Sequence, residues 1–196
     1  MFTFTRCVST TIATITAAAA IAAVLNAPAQ AQGAAGIEAK AQACTICHGA
    51  NGVPIDPKTM PIISGQQSYY IFKQLVNYRN GMREHPIMTP LAKGLQQSDL
   101  RPLADYFAAK PWPANTAAAA SAAAPKGITM CTPCHQQNFQ GGVSWPRIAG
   151  LSYEYLVASM RSFASEQRTN NTDMVQMMKL FTDSEREAMA RYLAGL

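Results

Sequence analysis

The sequence predicts an all-α protein in which one helical module is used twice. Two observations carry this expectation. The first is an internal repeat: Cys44-x-x-Cys47-His48 recurs as Cys131-x-x-Cys134-His135, and "PIISG" at 61–65 recurs as "PRIAG" at 146–150. Tyr70 and Tyr155 follow the glycine closing that segment by 5 residues, Arg83 and Arg168 follow it by 18, and Met88 and Met174 precede Tyr106 and Tyr192 by 18. The offset between copies drifts only from 87 to 85 to 86, so insertions between them are tiny. The second observation is periodicity. Apolar residues in each copy recur at helical spacing, and no stretch alternates convincingly as a strand.

Taken in order, residues 1–31 read as a secretory signal peptide. Arg6 is the only charge before Glu38, an apolar, Ala-rich run covers 12–25, and Ala29-Gln30-Ala31 supplies a small-residue cleavage pattern. That run is short and mostly Ala and Thr, which disfavours an uncleaved membrane anchor. Residues 32–112 form the first module. Tyr70, Ile71, Leu75 and Tyr78 mark a helix over 68–78, and Ser98 reads as the N-cap of a terminal helix through "DLRPLADYFAA". Residues 113–127 are an Ala- and Pro-rich linker, either a flexible spacer or a short helix that Pro125 and Gly127 would end. In the second module, 128–196, Tyr155, Leu156, Met160 and Phe163 mark the twin helix over 152–163. Thr182 or Ser184 caps its last helix.

The charge pattern narrows the partners. The chain carries a formal +5, and without Arg6 the balance is eight basic against five acidic residues in 32–112 and seven against six in 125–196. Basic residues are scattered and form no stripe, so nucleic-acid binding is unsupported.

Once Cys7 leaves with the signal, every cysteine lies in a C-x-x-C unit. Structural zinc would need two such pairs roughly 15–20 residues apart, or a later His pair, whereas 83 residues separate Cys47 from Cys131. A thioredoxin-type redox pair would sit at a strand-to-helix junction in a βαβ pattern, and none is present. Covalent c-type heme attachment remains, with C-x-x-C-H as its signature. Two thiols three positions apart on a helical turn can form thioethers with the porphyrin vinyl groups, and the adjacent imidazole then reaches the iron. The reading is two covalent hemes, held by Cys44, Cys47, Cys131 and Cys134.

On these motifs the chain resembles class I c-type cytochromes, and its doubled form resembles the diheme cytochrome c4 family, over residues 34–196. The resemblance implies two tandem cytochrome c domains, each a few helices wrapped around one heme. It implies a proximal His and a distal Met in each, by position His48 with Met88 and His135 with Met174. Met88 is the only methionine between Met82 and Met130, while Met174 competes with Met177 and Met178. Register favours Met174, since Met88 to Leu95 and Met174 to Phe181 both span seven residues, and Met178 is the substitute. The family's proximal His donates to a Pro carbonyl, which falls on Pro61 and Pro146. Tyr70, Tyr155, Arg83 and Arg168 are candidates for packing on the hemes or meeting their propionates, with plain core packing as the rival for the tyrosines. His85, three residues before Met88, reads as an exposed loop residue, because the second copy has Asn170 and Asn171 at that place.

His/Met ligation leaves the iron no open position and a raised potential. The expected function is therefore electron transfer and not catalysis. The expected role is a periplasmic carrier between a quinol-oxidising complex and a terminal oxidase or reductase, with peripheral membrane association left open. The alternative is the cytochrome subunit of a periplasmic dehydrogenase such as a sulfide-oxidising flavocytochrome. The second copy lacks the "GANG" turn after its histidine and has "QQNFQGG" instead, so the two heme surroundings are expected to differ.

Overall fold

The computed structural model describes residues 29–113 and 123–196, together with Met1 and Thr3. Most of the predicted signal peptide and of the 113–127 linker lies outside the described residues. Among the described residues eight α-helices follow in order: α1 (Ala29–His48), α2 (Ser68–Arg79), α3 (Met88–Gly94), α4 (Gln97–Ala108), α5 (Thr132–His135), α6 (Tyr153–Ala164), α7 (Thr172–Lys179) and α8 (Asp183–Ala194). The described residues contain no strand. No described helix is long and apolar enough to cross a membrane.

Each module places its motif by packing two amphipathic helices across each other. In the first, α2 lies on α4, and Ile71, Leu103, Ala104 and Phe107 close a small core with Ala41 of α1. In the second, α6 lies on α8 and α7 packs on α6, burying Leu156, Met160, Phe163, Met189 and Leu193. Burial of side chains this size contributes roughly 1.5–3 kcal/mol each. Residues 35–196, with both modules, form one compact unit.

Several helix ends differ from the sequence expectation. Ser98 lies inside α4, which starts at Gln97 with no side-chain cap. The expected capping at the last helix is carried by Thr182, whose hydroxyl accepts from Glu185 N while the Glu185 carboxylate accepts from Thr182 N. That reciprocal pair satisfies two otherwise orphaned donors, about 1 kcal/mol for the cap. Met88 opens the short helix α3. The first C-x-x-C-H is the last turn of the 20-residue α1. The second rests on a 3-10 turn, Ile128–Cys131, running into the four-residue α5.

The modules are joined by side chains of α2 and the loop before it. Gln66 exchanges hydrogen bonds with the backbone of Arg147, Nε2 to Arg147 O at 2.8 Å and Arg147 N to Oε1 at 2.7 Å. Gln67 Nε2 donates to Gln140 O at 3.1 Å, and Ser152 Oγ donates to Pro57 O at 2.5 Å. Ile62 and Trp112 of the first module pack against the core of the second, and the Arg147 guanidinium lies 4.5 Å from the Trp112 ring centroid.

Candidate heme sites

Each candidate proximal histidine is aimed by its own helix end and held by one carbonyl. His48 Nδ1 donates to Pro61 O at 2.9 Å and His135 Nδ1 to Pro146 O at 2.8 Å. The loops carrying these carbonyls are clamped alike. Ile63 N and Ser64 N donate to Gly52 O at 2.9 and 3.1 Å, and Ile148 N and Ala149 N donate to Phe139 O at 3.0 and 3.2 Å. Gly65 N then donates to Phe107 O, and Gly150 N to Leu193 O, tying each loop to the terminal helix. With Nδ1 committed, Nε2 is the ring nitrogen left to ligate.

Electrostatics agree with ligation by neutral imidazole. Burial pushes both histidines below their ordinary value, more strongly than the proline hydrogen bonds push them up. The four motif cysteines are free of disulfides. Burial raises the Cys44 thiol, and burial followed by the neighbouring Cys134 raises Cys131 to about 11.

The short helices α3 and α7 carry the candidate distal methionines, and both are bracketed by side chains. Met88 N donates to His85 Nδ1 at 3.3 Å, and Ile87 N donates to the same atom at 3.2 Å. Met174 N donates to Asn171 Oδ1 at 3.0 Å, across the same three-residue span. His85 therefore does the backbone-holding job in the first module that Asn171 does in the second. Burial, then the Arg83 charge, lowers the His85 pKa, consistent with a neutral ring whose Nδ1 accepts. At the far ends, Arg79 Nη1 donates to Lys93 O at 3.0 Å and also reaches Leu95 O. Arg186 Nη1 donates to Met178 O at 2.9 Å and Phe181 O at 2.5 Å. Met178 is 2% exposed, closed in by its own core, whereas Met88 and Met174 keep accessible surface, as a sulfur given to a heme must.

The four remaining candidates meet between the modules. Arg168, buried, donates from Nη2 to Tyr70 OH at 3.2 Å and to Gln74 Oε1 at 3.0 Å, and from Nε to Asn170 Oδ1 at 3.0 Å. Gln74 Oε1 also accepts from Arg83 Nη1 at 2.9 Å and Asn170 Nδ2 at 3.0 Å. Burial alone would push the Tyr155 phenol up, but the Arg83 and Arg168 guanidiniums pull it down to about 8. Among the described residues neither arginine pairs with a carboxylate. Two desolvated cations without an anionic partner fit a group that brings carboxylates of its own, as heme does with its propionates. Gln74 and Asn170 escaped the sequence reading, because neither residue type recurs at the matching place in the other copy.

No family model matches the chain. It is 31% identical over 178 residues to cytochrome c4 of Thiocapsa roseopersicina, covering 81% of this chain and 90% of that one. The chain belongs to the cytochrome c4 family. It is also 30% identical over 177 residues, 82% of both chains, to the thiosulfate dehydrogenase electron acceptor of Stutzerimonas stutzeri strain A1501. The crystal structure of reduced cytochrome c4 from Pseudomonas stutzeri superposes with a TM-score of 0.73 at 26% identity, covering 83% of this chain and 98% of that one. The thiosulfate dehydrogenase TsdBA of Marichromatium purpuratum aligns at a TM-score of 0.64 and 26% identity, over 77% of this chain and 36% of that longer one. As a cytochrome c4, the protein is an all-α diheme electron-transfer cytochrome with covalently bound heme c, and not an enzyme.

Proposed function

We propose that this cytochrome c4 is a periplasmic two-heme electron carrier with the same His/Met ligand set in each module. Cys44 and Cys47 anchor the first heme and Cys131 and Cys134 the second. His48 with Met88, and His135 with Met174, are the axial pairs. Arg83 and Arg168 take propionates at the junction, with Tyr70, Tyr155 and Gln74 as their neutral partners. The heme supplies a one-electron iron couple, and the chain's own residues fix its axis, its potential and its distance from its neighbour. The observation that carries this reading is the pair of matched frames: Nδ1 held by Pro61 O and Pro146 O, and Met88 N and Met174 N held from three residues upstream.

Two donors are in view. The sequence-based expectation is a quinol-oxidising complex feeding a terminal oxidase or reductase. Relatives named as electron acceptors of thiosulfate dehydrogenase in Stutzerimonas stutzeri and Thiomonas intermedia favour a periplasmic dehydrogenase as donor. Stopped-flow reduction of the purified diheme protein by each candidate decides between them. Saturable two-electron reduction by a thiosulfate dehydrogenase, with slow reduction by a quinol-oxidising complex, selects the second reading, and the reverse selects the first. Purification as a lone monomer would favour a mobile carrier, and a stoichiometric partner would favour a dehydrogenase subunit.

A further inference from the structure

The peptide group that holds the second proximal histidine is itself gripped from the first module. Pro146 O accepts from His135 Nδ1, and the N–H of that same peptide group, Arg147 N, donates 2.7 Å to Gln66 Oε1. Gln66 is 5% exposed. Its Oε1 also accepts from Gln67 N at 2.9 Å, while Nε2 donates 2.8 Å to Arg147 O, which locks the amide orientation. The chain of bonds thus runs from His135 through the Pro146–Arg147 peptide to a side chain 81 residues away in the other module.

We infer that Gln66 is a positioning residue that tunes the second heme from the first module, by polarising the carbonyl that accepts from His135. An acceptor on a peptide N–H makes its carbonyl oxygen a better acceptor, because hydrogen bonds in series reinforce one another. A stronger pull on the proximal N–H makes the imidazole a more basic iron ligand and favours the ferric state. Gln66 therefore lowers the potential of the heme on His135. The first heme lacks the reciprocal device, since the position matching Gln66 in the second copy is Leu151, which has no amide to offer. One heme is tuned across the junction and the other is not, and this asymmetry makes the two potentials depend differently on how tightly the modules dock. The inference rests on His135 as the proximal ligand.

The test uses the intact holoprotein and two variants. Gln66→Met keeps length and shape and loses the amide. Gln67→Ala removes another cross-module bond, to Gln140 O, that does not touch the Pro146 peptide. In proton NMR of the reduced protein, the His135 Nδ1–H signal of Gln66→Met should move upfield and exchange faster, while that of His48 stays. A redox titration should show the second heme's potential raised by about a two- to fivefold shift in its reduction equilibrium, roughly 20–40 mV at 59 mV per tenfold. Gln67→Ala should leave both readouts in place. Unmoved His135 N–H and potential in Gln66→Met would overturn the inference, and so would an equal change in Gln67→Ala, which would mark general loosening of the junction. Failure of the parent reading looks different: the wild-type spectrum would then lack a ring-current-shifted His135 N–H altogether.

Discussion

Positions 52 and 139 occupy the same place in the repeat, and one is glycine while the other is phenylalanine. Both take positive φ, 82° at Gly52 and 57° at Phe139, and both offer their carbonyl to the loop that holds the motif histidine. A Cβ on Gly52 would sit 2.9 Å from Ser64 N and 3.0 Å from Phe107 Cδ1. In the second module the residue matching Phe107 is Leu193, and the Phe139 ring, 4% exposed and edge-on to Tyr192, is buried in the same core as Leu193. The aromatic has moved from the terminal helix to the loop. The backbone frame around the heme site was kept and the side-chain volume redistributed, at a strain of roughly 1 kcal/mol for a left-handed non-glycine residue. Gln136, at φ 67° and ψ 163° where the first module has Gly49, takes a conformation nearly reserved for glycine, at a cost of roughly 1–3 kcal/mol. This difference is how "QQNFQGG" builds the turn that "GANG" builds in the first copy.

The largest effect is expected at Phe139. Phe139→Ala should cost about 3–5 kcal/mol of cavity and lost burial, and chemical denaturation should show the second module melting first. The mirror experiment, Gly52→Ala, puts a methyl against backbone and should destabilise the first module by about 1–3 kcal/mol, visible as an earlier transition in the same assay. If Gly52→Ala is neutral, the two turns do not share a tight backbone constraint.

The side chains that hold Met88 N and Met174 N, His85 and Asn171, differ as well. His85→Ala and Asn171→Ala should each cost about 1 kcal/mol locally and loosen the methionine of their own module alone, read as faster amide exchange at Met88 or Met174. His85→Asn should restore the first module, because Asn already performs this task in the second. A histidine needed as an iron ligand would not be replaced by Asn. The smallest effect concerns acid. The Arg161 guanidinium holds the Asp183 carboxyl down to about 2, so the α6–α8 link it makes is in place above the ordinary carboxylate range and is lost as pH falls through 2. Asp183→Asn should remove that acid-dependent step from the second module's unfolding and leave the first unchanged.

Much of this architecture was legible in the sequence because it rests on spacing. The repeat fixed the register that pairs His48 with His135, Pro61 with Pro146 and Met88 with Met174, and helical periodicity located α2 and α6 to within a residue at their N-terminal ends. Chemistry that depends on a single side chain without a twin was not legible. Gln66, Gln74 and Asn170 act across the junction, where contact depends on docking and not on sequence distance. His85 is the exposed loop residue the sequence predicted, but its hold on Ile87 N and Met88 N was not legible, although its place three residues before Met88, matched by Asn171 before Met174, was the available signal. Ser98 misled because a good capping residue lay one turn position inside a helix that begins without a side-chain cap.

The claim that both modules hold their hemes through the same ligand set is tested most directly by the weak far-red absorption of ferric heme bound to thioether sulfur, measured per heme in the wild type and in Met88→Ala, Met174→Ala and Met178→Ala. The account predicts two equivalents of that band in the wild type, one in each of the first two variants, and two in Met178→Ala. A single equivalent in the wild type, or its loss in Met178→Ala with Met174→Ala intact, would contradict it.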